Sequence, residues 1–262
     1  METKALALKR ALAAGCPQFG LVCAIPSFLT IEAIASSGFA FFLLDAEHQP
    51  TNPSIVHTQL LALANSPTGA IVKLPGLDAT AIRQYLDLGA DGLMAPNIET
   101  REDARQLVSL TRYPPRGVRG IAGTVRATRF TRDKSYPRTA EDHFVTVALI
   151  ESRKGLDNLE AIASVDGIDI VFFGPGDLAA EMGHTGQASH PNVVAALESG
   201  VGRVQAAGKI AGLLAAEADI DRYHAHGARM FIAGAELGLF VQAADGLASR
   251  LSSKYALAAA RA

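Results

Sequence analysis

Eight short apolar runs, each followed by a longer amphipathic stretch, constrain this chain more than any other feature. They read FGLVCAIP, FAFFLLD, GAIVKLP, DGLMAPN, FVTVALIE, IDIVFFG, IAGLLAA and ARMFIAG. A half-exposed sheet would alternate apolar and polar residues. Continuous apolar runs belong to strands covered on both faces. The stretches between them carry helix punctuation. Asn52 and Pro53 stand ahead of SIVHTQLLALANS, and DATAIRQYLDLG has Asp78 at its start and Gly89 at its end. Eight such units in 262 residues predict an α/β fold, a (β/α)8 TIM barrel forming one domain over residues 1–262. A doubly wound open sheet is the runner-up, but it would usually show an early phosphate-binding glycine turn, and none is found.

Composition narrows the function classes. The formal net charge is −2, with no basic stripe of the kind nucleic-acid binders carry. Pro17, Pro26 and Glu32 interrupt the longest apolar candidate, so no membrane span is expected. The N-terminal METKALALKRALAAG lacks an uninterrupted apolar core and does not read as a secretory signal. A soluble, cytoplasmic protein is expected. Cys16 and Cys23 are not spaced as CxxC and read as buried free thiols. One segment breaks the rhythm: residues 112–143 form a long basic loop with Arg112, Arg116, Arg119, Arg126, Arg129 and Arg132. These arginines read either as an anion site or as a solvated, partly interfacial face, and the second reading is favoured.

The chemistry collects where the apolar runs stop. In a barrel the C-terminal strand ends face the active site. Those ends supply Asp45, Glu47 and His48, then Lys73, Asn97, Glu151, Asp177 and Glu236. Carboxylates from different strands suit a hard divalent cation, which takes one or two of them and keeps several waters. Glu151 and Asp177 are the natural ligands, although Asp177 reads equally as a helix cap. His48 stands nearby, suited to moving protons near neutral pH. Gly174, Pro175 and Gly176 form a turn into a helix whose N–H groups favour an anion. His184 and His190, His224 and His226, and His57 read as loop, surface and helix residues.

LLDAEHQPTN, TRYPPRGVRG, the stretch from IESRKGLDNLEAIASVDG through FFGPGDLAAEMGHTGQASHPNV, and GLLAAEADIDRYHAHGARMFIAGAELGLF resemble, in order, the HpcH/HpaI aldolase family over about residues 4 to 250. The resemblance implies a metal-dependent class II pyruvate aldolase. Its reaction would be reversible cleavage of a 4-hydroxy-2-keto acid to pyruvate and an aldehyde. It implies Mg2+ or Mn2+ on Glu151 and Asp177, with Co2+ also tolerated. It implies His48 as base, Asp45 orienting it, and Lys73 at the position of a family arginine. Asp87 would act near the proton-transfer site across a subunit interface. The substrate would meet Gly174, Pro175, Gly176 and Leu214. A homohexamer with an exchanged last helix is implied as well, with no nucleic acid or membrane partner.

The chain also departs from that pattern. Lys73 keeps a positive charge but loses the planar fork of arginine. Leu149 stands where the family has glutamine, Val22 replaces an aromatic residue, and Ala235 replaces a serine. Lys73 is read as a substitute for arginine. The alternatives are a Schiff-base lysine, a decarboxylase or lyase acting on another 2-keto acid such as oxaloacetate, and a non-catalytic keto-acid-binding barrel.

Overall fold

In the computed structural model, which describes residues 2–259, the eight apolar runs become eight parallel strands. They are β1 (Gln18–Cys23), β2 (Phe41–Asp45), β3 (Gly69–Lys73), β4 (Gly92–Ala95), β5 (Val145–Ile150), β6 (Ile170–Phe173), β7 (Ile210–Leu214) and β8 (Met230–Ala235). They close in sequence order, with β8 pairing β1. The barrel expected from the spacing is therefore the one formed. The last residues of the predicted final helix, 260–262, lie outside the described residues.

The helices of the outer layer are α2 (Phe28–Ile34), α3 (Pro53–Ala62), α4 (Ala79–Asp87), α5 (Arg101–Thr111), α7 (Arg153–Asp157), α8 (Leu159–Ala163), α9 (Pro175–Glu181), α10 (Pro191–Ala206), α11 (Ile220–Ala225) and α12 (Glu236–Ala259). Their boundaries follow local chemistry. Asn52 Oδ1 accepts from the N–H groups of Ser54 and Ile55 at 3.0 and 3.1 Å, opening α3. Asp78 Oδ1 accepts from Ala81 N–H at 2.7 Å, opening α4, and Gly89 follows α4 with φ 81°.

Each strand has only two directions for its side chains. The inward row fills the barrel with Phe41, Leu43, Ile71, Met94, Val145, Val147, Leu149, Ile170, Phe172, Met230 and Ile232. The outward row packs against the helices, as with Phe42, Leu44, Val72, Leu93, Ala148 and Phe173. The N-terminal segment, for which no element is expected from sequence, forms α1 (Lys4–Ala13). Its Ala5, Leu8 and Leu12 join the interior cluster and close the N-terminal end of the barrel. Lys4 Nζ ties α1 down through the carbonyls of Leu63 and Thr68.

Two expectations need correcting. Cys16 is exposed, because it follows α1 in a surface turn; only Cys23 is buried, where burial pushes its thiol well above the usual range. The 112–143 segment is not a solvated loop throughout. It contains α6 (Tyr136–Thr139) and short 3-10 turns. Arg119 is fully buried there, bonded to Asp87 at 2.7 Å and stacked on the Tyr113 ring. Arg112 and Arg116 share Glu141, and Arg126 donates to the Leu88 carbonyl. These four arginines are thus spent on holding the segment to the end of α4 and to itself. Among the described residues no helix is long and apolar enough to cross a membrane.

Interior packing depends on glycines set beside large neighbours. A Cβ on Gly20 would lie 2.5 Å from the Phe41 ring and 2.6 Å from its carbonyl oxygen. One on Gly212 would lie 2.7 Å from Phe172. Since the first obstacle includes backbone, Gly20→Ala is expected to destabilise the fold by about 1–3 kcal/mol. Urea unfolding followed by circular dichroism checks this: the midpoint should fall with an unchanged slope.

Candidate active site

Strand parity decides which groups meet at the C-terminal mouth. Asp45 continues the inward row of Phe41 and Leu43, Lys73 that of Ile71, Glu151 that of Val147 and Leu149, and Leu214 that of Ile210 and Gly212. Asp45 and Lys73 are direct partners across β2 and β3.

Asp45 is buried and organises the turn after β2. Its Oδ1 accepts from the N–H of Glu47 at 3.0 Å and of His48 at 3.1 Å. Asp45 thus grips the backbone of His48, and its orienting effect runs through the turn. Glu47 and His48 are carried over Lys73. Lys73 Nζ lies 2.5 Å from Glu47 Oε2 and 3.1 Å from His48 Nε2. Glu47 Oε2 is also 3.2 Å from His48 Nε2. The His48 side chain is 58% exposed, so its imidazole is open to a ligand.

Glu151 ends the β5 row and is buried. Its Oε1 accepts from Asn97 N–H at 3.0 Å. Asn97 holds a left-handed backbone, φ 52°, which asparagine tolerates better than most residues. A Cβ on Gly174 would lie 2.9 Å from Glu151 Oε2, so glycine at that turn makes room for the carboxylate. Burial raises the Glu151 pKa. The Lys73 charge and the Asn97 bond oppose the rise, while Asp177 and Glu47 add to it. Lys73, Asp177 and Glu47 therefore all lie within electrostatic reach of Glu151.

Asp177 sits in the first turn of α9, exposed, with no side-chain hydrogen bond or ion pair among the described residues. The helix-cap reading of Asp177 fails, because Gly174 is the cap residue and has no side chain to offer. Gly176 is open, with nothing within 4 Å of a Cβ placed on it. Pro175 is buried at the helix start. Leu214 is half exposed at the mouth, while Leu149 is buried below it and touches the space beside Gly174.

Some predicted groups are not brought together. Glu236 does not project into the mouth as a free carboxylate. It accepts from the N–H groups of Ala24, Ile25 and Leu237 at 2.8, 2.7 and 3.0 Å, tying the β1 end to α12. Asp87 lies at the far end of α4, paired with Arg119, away from the mouth of its own barrel. His184 and His190 stack on each other with ring centroids 3.4 Å apart. Glu47 was read only as one of several strand-end charges; its place between Lys73 and His48 depends on β2–β3 pairing. A cavity of about 1100 Å3 lies at the opposite barrel end among Lys4, Asp91, Arg126 and Tyr136, and contains none of these strand-end groups. Among the described residues no three His, Cys, Asp or Glu side chains form a cage for a metal ion. A two-carboxylate arrangement is what the mouth offers.

The HpcH/HpaI aldolase/citrate lyase family model matches residues 18–243. A pyruvate aldolase of Rhizobium etli is 40% identical over 254 residues, 97% of this chain and all of that protein. A 4-hydroxy-2-oxo-heptane-1,7-dioate aldolase of Salmonella dublin is 40% identical over 256 residues, 97% of each chain. Among solved structures, an HpcH/HpaI aldolase/citrate lyase family protein from Burkholderia cenocepacia J2315 superposes with TM-score 0.90 at 34% identity, covering 94% of this chain and 98% of that one. The citrate synthase SbnG gives 0.85 at 28% identity, covering 95% and 98%.

The geometry makes two predictions. Because its folded pKa lies above the ordinary 4.5, Glu151 favours the fold most when protonated and weakens it as pH rises through and above 4.5. With chelator present, Glu151→Gln should therefore raise the unfolding midpoint at neutral pH, and the gain should vanish below about pH 4. Asp87→Asn leaves the buried Arg119 charge unpaired and should cost roughly 3 kcal/mol. Denaturant unfolding of the two variants checks both.

Proposed function

The chain belongs to the HpcH/HpaI aldolase/citrate lyase family of carbon–carbon lyases, and we propose that it is a divalent-metal-dependent aldolase releasing pyruvate and an aldehyde from a 4-hydroxy-2-keto acid. The observation that carries this reading is the buried Glu151 carboxylate, one oxygen held by Asn97, lying within the fields of Asp177 and Lys73. The donor set fits a hard cation. Both groups offer carboxylate oxygens, Gly174 leaves Oε2 room, and burial beside a like charge disfavours Glu151 ionisation unless a cation offsets it. Glu151 and Asp177 would hold Mg2+ or Mn2+, and an oxygen set also tolerates Co2+. When bound, such a cation polarises the keto carbonyl and offsets the negative charge that develops during cleavage.

The chain's own groups supply the rest. His48 takes the C4 hydroxyl proton, the C3–C4 bond breaks, and the aldehyde carbonyl forms. The electron pair left on C3 delocalises into the pyruvyl group, and a proton equivalent to the one His48 took is returned to C3 to give pyruvate. Lys73 adds a second positive charge at the mouth. Its Nζ is committed to an ion pair with Glu47, which supports an electrostatic role over a Schiff base. The N–H groups of Gly176 and Asp177 in the first turn of α9 receive the pyruvate carboxylate, since Pro175 has none and Gly174 N–H is spent on the Ile150 carbonyl, and Leu214 forms an apolar wall. Asp87 would join proton transfer only from a neighbouring subunit, since in its own chain Arg119 holds it. Exposed Leu239, Phe240, Val241, Leu247 and Leu251 on α12 support exchange of that helix within an oligomer, a hexamer by the resemblance.

Pyruvate release from 4-hydroxy-2-keto acids with and without EDTA tests the reading. EDTA should abolish release, and His48→Ala should lower it about 100-fold or more. Borohydride should leave no adduct on Lys73. Release that survives EDTA with an adduct on Lys73 would establish the Schiff-base alternative. Analogue binding without turnover would mark a binding barrel, and carbon dioxide release from oxaloacetate alone would mark a decarboxylase.

A further inference from the structure

We propose that Glu47 is a positioning residue that sets Lys73 and His48 as one unit at the barrel mouth; this rests on the aldolase reading of that mouth. Lysine is a compact charge on a flexible four-carbon stem. An unsupported ammonium would sample many positions over an open mouth. Here two contacts fix it, Glu47 Oε2 at 2.5 Å and His48 Nε2 at 3.1 Å. Both flanking side chains of the ion pair are largely buried, 12% exposed for Lys73 and 18% for Glu47. Such a pair is held more firmly than a surface pair.

Glu47 Oε2 is sealed from solvent and has no well-aligned hydrogen bond. Its near neighbours are Lys73 Nζ and His48 Nε2, so charge rather than bond angle holds the contact. An ammonium has three donors. One bonds His48 and the Glu47 contact is held by charge, which leaves the ammonium able to donate to a ligand oxygen as well. The same carboxylate lies 3.2 Å from the imidazole nitrogen. When that nitrogen takes a proton it gives up the Lys73 bond, and Glu47 is in place to accept the new N–H. The carboxylate is itself held from below, because Asp45 grips the Glu47 and His48 N–H groups.

Glu47→Gln keeps the shape and the acceptor oxygen but removes the charge. The test compares wild type, Glu47→Gln, Lys73→Met and the double variant in Mn2+. It reads kcat and KM for pyruvate release, Mn2+ affinity, and calorimetric binding of oxalate, a planar dianion whose affinity needs no turnover. Glu47→Gln should lower kcat about 10- to 100-fold and weaken oxalate about tenfold, with Mn2+ affinity within about threefold of wild type. On the Lys73→Met background the further loss of oxalate affinity should be small, because the two residues act as one. Wild-type behaviour of Glu47→Gln, losses that simply multiply, or a loss confined to Mn2+ affinity would each overturn the proposal. Wild type that binds oxalate yet releases no pyruvate would sink the aldolase reading alone, while the oxalate comparison would still decide the role of Glu47.

Discussion

Closing eight parallel strands into a barrel leaves each side chain only two places to go, and both the core and the site follow from that choice. Inward positions of β2, β3 and β5 carry Phe41, Leu43, Ile71, Val145, Val147 and Leu149 through the interior. One step further along the same rows stand Asp45, Lys73 and Glu151. A one-residue slip in any of these strands would turn its apolar row outward and remove its charged group from the mouth. Packing and function are thus read from the same register. The interior accepts its phenylalanines because neighbouring strands place glycine beside them, as at Gly20 and Gly212.

At the mouth, the governing quantity is the cost of burying like charges together. Glu151, Glu47 and Asp45 are carboxylates at or near the top of the interior. Each is managed differently. Asp45 is neutralised by N–H groups of its own turn, Glu47 by Lys73, and Glu151 is left with one N–H and a raised pKa. That leaves Glu151 and Asp177, which has no side-chain partner among the described residues, as the two carboxylates the proposed cation would join. Glu236, fully satisfied by three N–H groups, shows what a carboxylate with a purely structural task looks like in the same ring of strand ends.

Away from the mouth, the long basic segment shows how far charge composition can mislead. Seven arginines among the turns of residues 112–143 look like a surface for anions. Arg119 instead lies wholly inside, held by Asp87 and two tyrosine rings, Arg126 ties the segment to the end of α4, and Arg112 and Arg116 pair with Glu141 within the segment. Guanidinium can do this because its planar group stacks on rings and spreads its charge over several donors.

The barrel was legible because its strands are buried on both faces, so each is a continuous apolar run with a polar stop. Helix starts at Asn52 and Asp78 and the stop at Gly89 were legible because capping is local chemistry. The candidate metal carboxylates Glu151 and Asp177 and the candidate base His48 were legible as polar residues at strand ends. What lay outside the sequence was which of these charges are already spent. Glu236 and Asp87 cannot be told from Glu151 and Asp177 without knowing that distant N–H groups or Arg119 reach them. Nor can Glu47 be singled out before β2 and β3 are paired. Local periodicity and capping act over a few residues, so the sequence by itself determined the elements and their order. Partnerships between charges act across strands, so only the tertiary structure decided which carboxylates remain free for chemistry.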